Sequence, residues 1–273
     1  MLPIKKIYID SRFKSSDSAS DSDFKIDLPI SFLMPEDTGF YIDDVCIPHT
    51  WYPIADRNNV IVFKFNTTNY IAAVIPGNYS AATFGIAIAL AMNAVLPVTA
   101  RFESRYDAAA NKITIKLIDE FKPANSFQIY PDHFVEELAP SVAHKTINTI
   151  FKKKFLKALN NSDEISGYID LYPLRNIYMT ATGLGNFNTM SVAGDRNIVK
   201  KIPVTAEHGQ VIFDQTVTGM DYLDCSRQAL SRLGVALRDV YGTVIDLNGN
   251  HVSFSIVFPG CKMEVNFLLE PII

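Results

Sequence analysis

A chain of 273 residues and 30.4 kDa has room for one large domain or two modest ones, and at that size folding can hide about 73% of the unfolded surface without metal or disulfide staples. Apolar residues make up 48% and charged residues 20%, which excludes a chain disordered throughout. A net charge of −4 and a pI near 5.7 argue against a surface that coats nucleic acid, and no apolar run is clean enough to span a bilayer.

Residues 4–9 (IKKIYI) form a short β-prone run, followed by SSDSASDS at 15–22, with five serines and two aspartates. That polarity predicts a flexible arm or surface loop. Phe24, Ile26 and Leu28 then alternate with Lys25 and Asp27, the period of a half-buried strand. Residues 40–47 read as another strand that Pro48 ends. VIVFKF (60–65) and YIAAVI (70–75) read as a hairpin. Ser80 caps a helix over 81–95 that is apolar on nearly every face and is therefore expected to be buried in protein. Strands are expected at 98–106, 112–118 and 126–130, so that 58–141 reads as one compact α/β unit. A second helix is expected over 146–159, with Ile147, Ile150, Phe151 and Phe155 on one face and Lys152, Lys153, Lys154 and Lys157 mostly turned away. Strands return at 168–172, 175–181, 195–204, 210–217, 232–240, 251–258 and 262–269. Many short strands with regular turn signals predict a sandwich or barrel.

Three cysteines, Cys46, Cys225 and Cys261, give no disulfide framework and read as small hydrophobes of a reduced protein. The N-terminus lacks the apolar stretch of a secretory signal, which leads to the expectation of an intracellular product. The five histidines show no ligand spacing, and Asp246-Leu-Asn248-Gly-Asn250 reads as a turn, because the glycine and glutamate of a calcium loop are missing further on. Asp43 and Asp44 are adjacent on a strand and are expected on opposite faces, where they cannot form a two-carboxylate site. The lone Trp51 is a core anchor in the favoured reading and a partner or sugar-stacking residue in the other. No cofactor, metal or catalytic constellation is expected.

IYIDSRFKSSDSASDSDFKIDLP (7–29) and FYIDDVCIPHTWYPI (40–54), with RNIYMTA (175–181), GDRNIVKKIPVTAEHGQVI (194–212) and the long run at 221–258, resemble minor capsid (penton) proteins of the Polinton/Maverick and adintovirus-like group. The resemblance covers about half of the chain and implies a mainly β fold: a single jelly-roll β-sandwich with an inserted small α/β subdomain. Its expected parts are a flexible N-terminal arm (1–23), a first jelly-roll part (24–57), the insertion (58–141) and a second jelly-roll part (142–273). The implied function is that of a non-enzymatic capsid vertex protein. It forms homopentamers, touches a major double-jelly-roll capsid protein, and resides in the virion capsid after synthesis inside the host cell. Neither a specific nucleic acid nor a transmembrane segment is implied. The insertion is a candidate site for a spike or receptor. Arg12, Asp17, Asp21, Asp23 and Trp51 are the candidate partner-binding residues, with ring contacts expected from strand edges and loops. Another virion structural or adaptor protein, or a cellular β-sandwich carbohydrate-binding protein, is the alternative.

Overall fold

The computed structural model describes residues 4–96, 101–118, 120, 125–152, 163–172, 174–185, 187–192, 194–218 and 220–259. The expected strand at 262–269, Cys261, and Lys153, Lys154, Phe155 and Lys157 of the expected second helix lie outside them. The chain begins with β1 (Ile4–Asp10), β2 (Asp23–Leu33) and β3 (Gly39–Pro48). It continues through β4 (Val60–Phe65), β5 (Thr68–Ala73), α1 (Ala81–Val95), β6 (Phe102–Asp107) and β7 (Lys112–Leu117). Next come β8 (Phe127–Ile129), α2 (Asp132–Leu138), α3 (Asn148–Phe151) and β9 (Glu164–Ile165). The last elements are β10 (Asn176–Thr182), β11 (Thr189–Ser191), β12 (Gly194–Arg196), β13 (Ile198–Pro203), β14 (Val211–Asp214), β15 (Leu223–Asp224), β16 (Ala229–Arg238) and β17 (Ser253–Pro259). Two compact units result: Met1–Trp51 with Leu174–Ile273, and Tyr52–Pro173.

Among the described residues, eight strands build the first unit once the short β11, β12 and β15 are set aside. They pair antiparallel as first with eighth (β1 and β17), second with seventh (β2 and β16), third with sixth (β3 and β14) and fourth with fifth (β10 and β13). This is one long hairpin folded double. Rolling it joins β17 to β3 and β10 to β16, which gives sheets ordered β1-β17-β3-β14 and β13-β10-β16-β2. That is the jelly roll, a double-sheet sandwich of eight strands. The second unit is inserted between the third and fourth strands. Alternate side chains point inward: Phe24 and Ile26, Phe40 and Ile42, Ile177 and Met179, Val235 and Leu237, and Phe254, Ile256 and Phe258 all join one buried cluster, as a period of two requires.

On the outer face, Gly234 of β16 stands between Thr182 of β10 and Lys25 of β2. A Cβ there would collide with Thr182 Oγ1, so the close approach needs a glycine. Gly234→Val is expected to lower stability by about 1–3 kcal/mol, the usual cost of overpacking, read as a fall in Tm; adding Thr182→Ala should recover part of it.

In the second unit, a sheet β5-β4-β8 and a sheet β6-β7-β9 share a core with α1, built from Phe63, Phe84, Ile88, Phe102, Ile115 and Phe127. Ser80 caps α1 as expected: its hydroxyl accepts from Thr83 N at 3.2 Å while its own N–H donates to Thr83 Oγ1 at 2.9 Å, a reciprocal capping box. Asn93, the polar residue in an apolar helix, uses its amide as a piece of strand. Its Nδ2 donates to Phe102 O at 2.9 Å and its Oδ1 accepts from Phe102 N at 2.7 Å.

Four expectations need correction. The segment expected as a flexible arm is ordered from residue 4 on. β1 pairs with β17 along its length, and the serine-rich stretch lies along the outer edge of β2. Ser15 N donates to Lys25 O (2.7 Å), Lys25 N to Ser18 Oγ (2.9 Å), Ser20 N to Asp23 O and Asp23 N to Ser20 Oγ (both 2.9 Å). Serine hydroxyls bond backbone groups readily, and an exposed strand edge offers a row of them. The expected helix at 146–159 is described only as α3, a single turn, because Lys152 takes φ 55° and its N–H bonds Asn148 O. The insertion is wider than 58–141, since Ile147, Ile150, Phe151, Ile169 and Leu171 pack into the core around α1. Finally, α1 is not covered all round: Ile86 is 53% and Leu90 62% exposed.

Candidate interaction surface

The outer face of the β1-β17-β3-β14 sheet carries a charged cluster that the sequence pattern argued against. Along β3, Asp44 faces Ser255 and Ile42 faces Ile256, so Asp43 is an extra residue in a bulge. A bulge breaks the strict alternation, and both carboxylates reach Lys6 on β1. Lys6 Nζ lies 2.6 Å from Asp43 and 3.1 Å from Asp44, and Ser255 Oγ donates to Asp44. Because β17 runs between β1 and β3, the ion pair spans it, which explains how Ser255 and Val257 are buried on an outward face. Hydrogen bonds to Asp43 and then Asp44 push the Lys6 ammonium above its ordinary range. Burial, then the negative charge of Asp44, pushes the Cys46 thiol up, as expected of an unreactive cysteine. Around this cluster Tyr8, Val211 and Phe213 are exposed.

The outer face of the other sheet carries ion pairs along β2 and β16, Asp17 and Asp27 with Arg232 and Asp23 with Arg238, and a group of cations toward β13. Lys201, Tyr178 and Arg238 form one cross-strand row. Between the β11–β12 hairpin and the turn after β16 lies a groove of about 290 Å³ over this row, and Arg196 joins Lys201 and Arg238 in its lining. Met190 and Val192 stand exposed along its rim, and Tyr241, also exposed, lines an adjoining hollow that shares Arg196 and Arg238. The acid of the groove, Asp239, is committed to the turn, accepting from Tyr241 N at 2.8 Å and Thr243 N at 2.9 Å.

A third polar feature ties the two sheets together. Lys200 on β13 and Asp214 on β14, strands at the ends of their sheets, both point inward. Their charged atoms are 3.4 Å apart and each side chain is only 9% exposed. Lys200 Nζ also donates to Ile42 O at 3.2 Å and Thr216 O at 3.0 Å. Burial pushes the Asp214 carboxyl up, but the bonds from Thr216 and the Lys200 charge outweigh it and hold the group below the ordinary carboxylate range.

The five candidate residues do not converge. Arg12 is exposed and its guanidinium grips Asp10, with Nε 3.0 Å from Oδ1. Asp17 binds Lys25 at 3.0 Å and also Arg232. Asp21 pairs with Lys14 and lies 3.2 Å from His251 Nδ1. Asp23 starts β2 and lies 3.7 Å from Arg238. These four thus knit the serine loop and its surroundings to the sandwich. Trp51 is buried in the jelly-roll core and stacks on His49 at 4.2 Å, so its packing is that of an anchor, not of an exposed contact. Burial pushes the His49 imidazole down, against the 2.7 Å bond its ring makes to Ala206 O. Sequence reasoning missed Lys6, Lys200, Asp214 and the groove, because bulges and strand pairing assemble them from distant positions. Among the described residues, no group of three or more His, Cys, Asp or Glu could hold a metal ion.

No protein-family model and no curated protein matches the chain. Among solved structures, the chain is similar to the crystal structure of the mavirus penton protein, with a TM-score of 0.50 and 9% sequence identity over 94% of this chain and 99% of that one. At that identity the likeness speaks for the fold: the protein has a penton-like jelly roll with an inserted α/β unit.

Proposed function

We propose that the protein is a capsid vertex (penton) subunit of the Polinton/Maverick and adintovirus-like group, which forms homopentamers at the fivefold vertices of an icosahedral shell. The observation that carries this reading is the likeness to a viral penton protein over nearly the full length of both chains, with the pairing of first strand to eighth through fourth to fifth intact on either side of a large insertion. A fold alone does not give a function; the weight comes from fold, insertion and end-to-end coverage occurring together. Such a subunit needs repeating lateral contacts rather than reactive groups, and in a closed ring these contacts are heterologous. The major double-jelly-roll capsid protein is the neighbour in this reading, and the insertion is its candidate contact for a spike or receptor, a reading that the exposed Ile86 and Leu90 of α1 support. Mass photometry over a concentration series, with negative-stain images of disrupted particles, tests it. Rings of five, at five times 30.4 kDa, are expected. A dimer or trimer as the sole oligomer in both preparations would overturn it.

A further inference from the structure

We infer that neighbouring copies join face to face, the basic groove over the β13-β10-β16-β2 sheet of one subunit receiving the acidic outer face of the β1-β17-β3-β14 sheet of the next. This rests on the vertex reading and gives its contact residues. The two surfaces are complementary in sign. The groove is lined by Arg196, Lys201 and Arg238; with Asp239 committed to a turn and Asp23 3.7 Å from Arg238, three cations stand there against two acids. The facing surface sets two carboxylates, Asp43 and Asp44, against one ammonium, Lys6. Both also expose apolar side chains, Met190, Val192 and Tyr241 on one and Tyr8, Val211 and Phe213 on the other, as interface patches do. They are the outer faces of the two sheets of one sandwich, so each copy carries donor and acceptor, which a head-to-tail ring requires.

Three of the four edge strands of the sandwich, β2, β13 and β14, are by contrast blunted. The serine loop takes backbone groups along part of β2, and β13 and β14 turn Lys200 and Asp214 inward, a recognised guard against edge pairing. The contact is therefore assigned to the faces and to the loops that rim the groove, rather than to the strand edges that the sequence suggested along with loops. Four strands about 4.8 Å apart and roughly six residues long give a face of roughly 20 by 20 Å, about half of the roughly 800 Å² that each partner of a standard interface buries. One contact alone is weak, and closure of the ring adds the rest.

The test is a charge swap between two variants. Arg196→Glu/Lys201→Glu reverses the groove, and Asp43→Lys reverses the face while leaving Lys6 with Asp44. Each alone should associate at least about tenfold more weakly than wild type, because like charges then meet. Mixed in equal amounts, the two should recover association, since every alternating contact is again complementary. Alternation cannot close a ring of odd number, so the mixture should yield even-numbered or open species instead of pentamers. Sedimentation velocity reads both results. Variants that associate like wild type, or a folded mixture that stays monomeric, would overturn the face assignment, while wild-type pentamers would leave the vertex reading standing. A wild type that shows no association at its highest soluble concentration would overturn the face assignment too, leaving the vertex reading to the particle measurement. Should a charge variant melt well below wild type, Met190→Ser and Phe213→Ser replace the pair, and each must weaken association for the assignment to stand.

Discussion

Replacing residues 52–173 with a short Gly/Ser linker is expected to leave a soluble, β-rich protein with one cooperative melting transition, whereas replacing only 58–141 is expected to give an aggregating product. The reason lies in which core owns which side chains. The jelly-roll cluster draws on residues up to Trp51 and from Ile177 onward, and the cluster around α1 draws on Ile54 through Leu171. The narrower cut would remove Phe63, Phe84, Phe102 and Phe127 but strand Ile147, Ile150, Phe151, Ile169 and Leu171. Each such side chain loses roughly 2 kcal/mol of burial, about 10 kcal/mol for the five, which matches the whole stability of a typical domain. Apolar surface on that scale drives association. Residues 52–173 expressed alone should likewise fold. Circular dichroism melts and size-exclusion profiles of the three products decide the matter, and a soluble, cooperative 58–141 replacement would show that the division at 52 and 173 is wrong.

Lys200→Met is expected to cost about 3 kcal/mol. Breaking a buried ion pair by removing one partner leaves the other charge uncompensated, at about 3–5 kcal/mol, and here both side chains are nine-tenths buried. Asp214 would keep its 2.9 Å bond from Thr216 N but lose the cation. Adding Asp214→Leu should recover much of the loss, because an apolar pair of similar volume carries no desolvation penalty. The pair also predicts a pH dependence. The folded pKa of Asp214 is held below the ordinary value, so in acid the unfolded chain takes up its proton first. Its contribution is present above the unfolded value, near 3.9, and is lost as pH falls through the folded one. Urea unfolding from pH 7 down to pH 3 should show the acid-side loss in the wild type, and a shallower one in Asp214→Asn. An unchanged acid slope in that variant would remove Asp214 from the account.

Much of the strand inventory was legible because period-two alternation survives in a sandwich with one buried face per strand: β2 and β3 follow from Phe24-x-Ile26 and FYIDDVCI, and the helix at 81–95 follows from its Ser80 cap. Local chemistry misled where a distant partner intervened. SSDSASDS has no apolar anchor and reads as an arm, yet the edge of β2 supplies backbone groups for its hydroxyls. Asp43 and Asp44 should diverge on a regular strand, but a bulge against β17 turns both toward Lys6.

The amino-acid sequence by itself determined the class of fold, the position of most strands and the presence of a compact α/β unit, since these depend on periodicity, turn residues and caps within a few positions; that the unit is an insertion in a jelly roll was implied by the family resemblance. Only the tertiary structure decided the strand order, the borders of the insertion, the Lys200–Asp214 pair that ties the sheets, the Lys6–Asp43–Asp44 cluster and the cation-lined groove. Each of these depends on which residues far apart in the chain come to lie opposite one another, as Lys6 does with Asp43 and Lys201 with Tyr178 and Arg238. Such pairings follow from register and bulges, which a pattern along one strand does not encode.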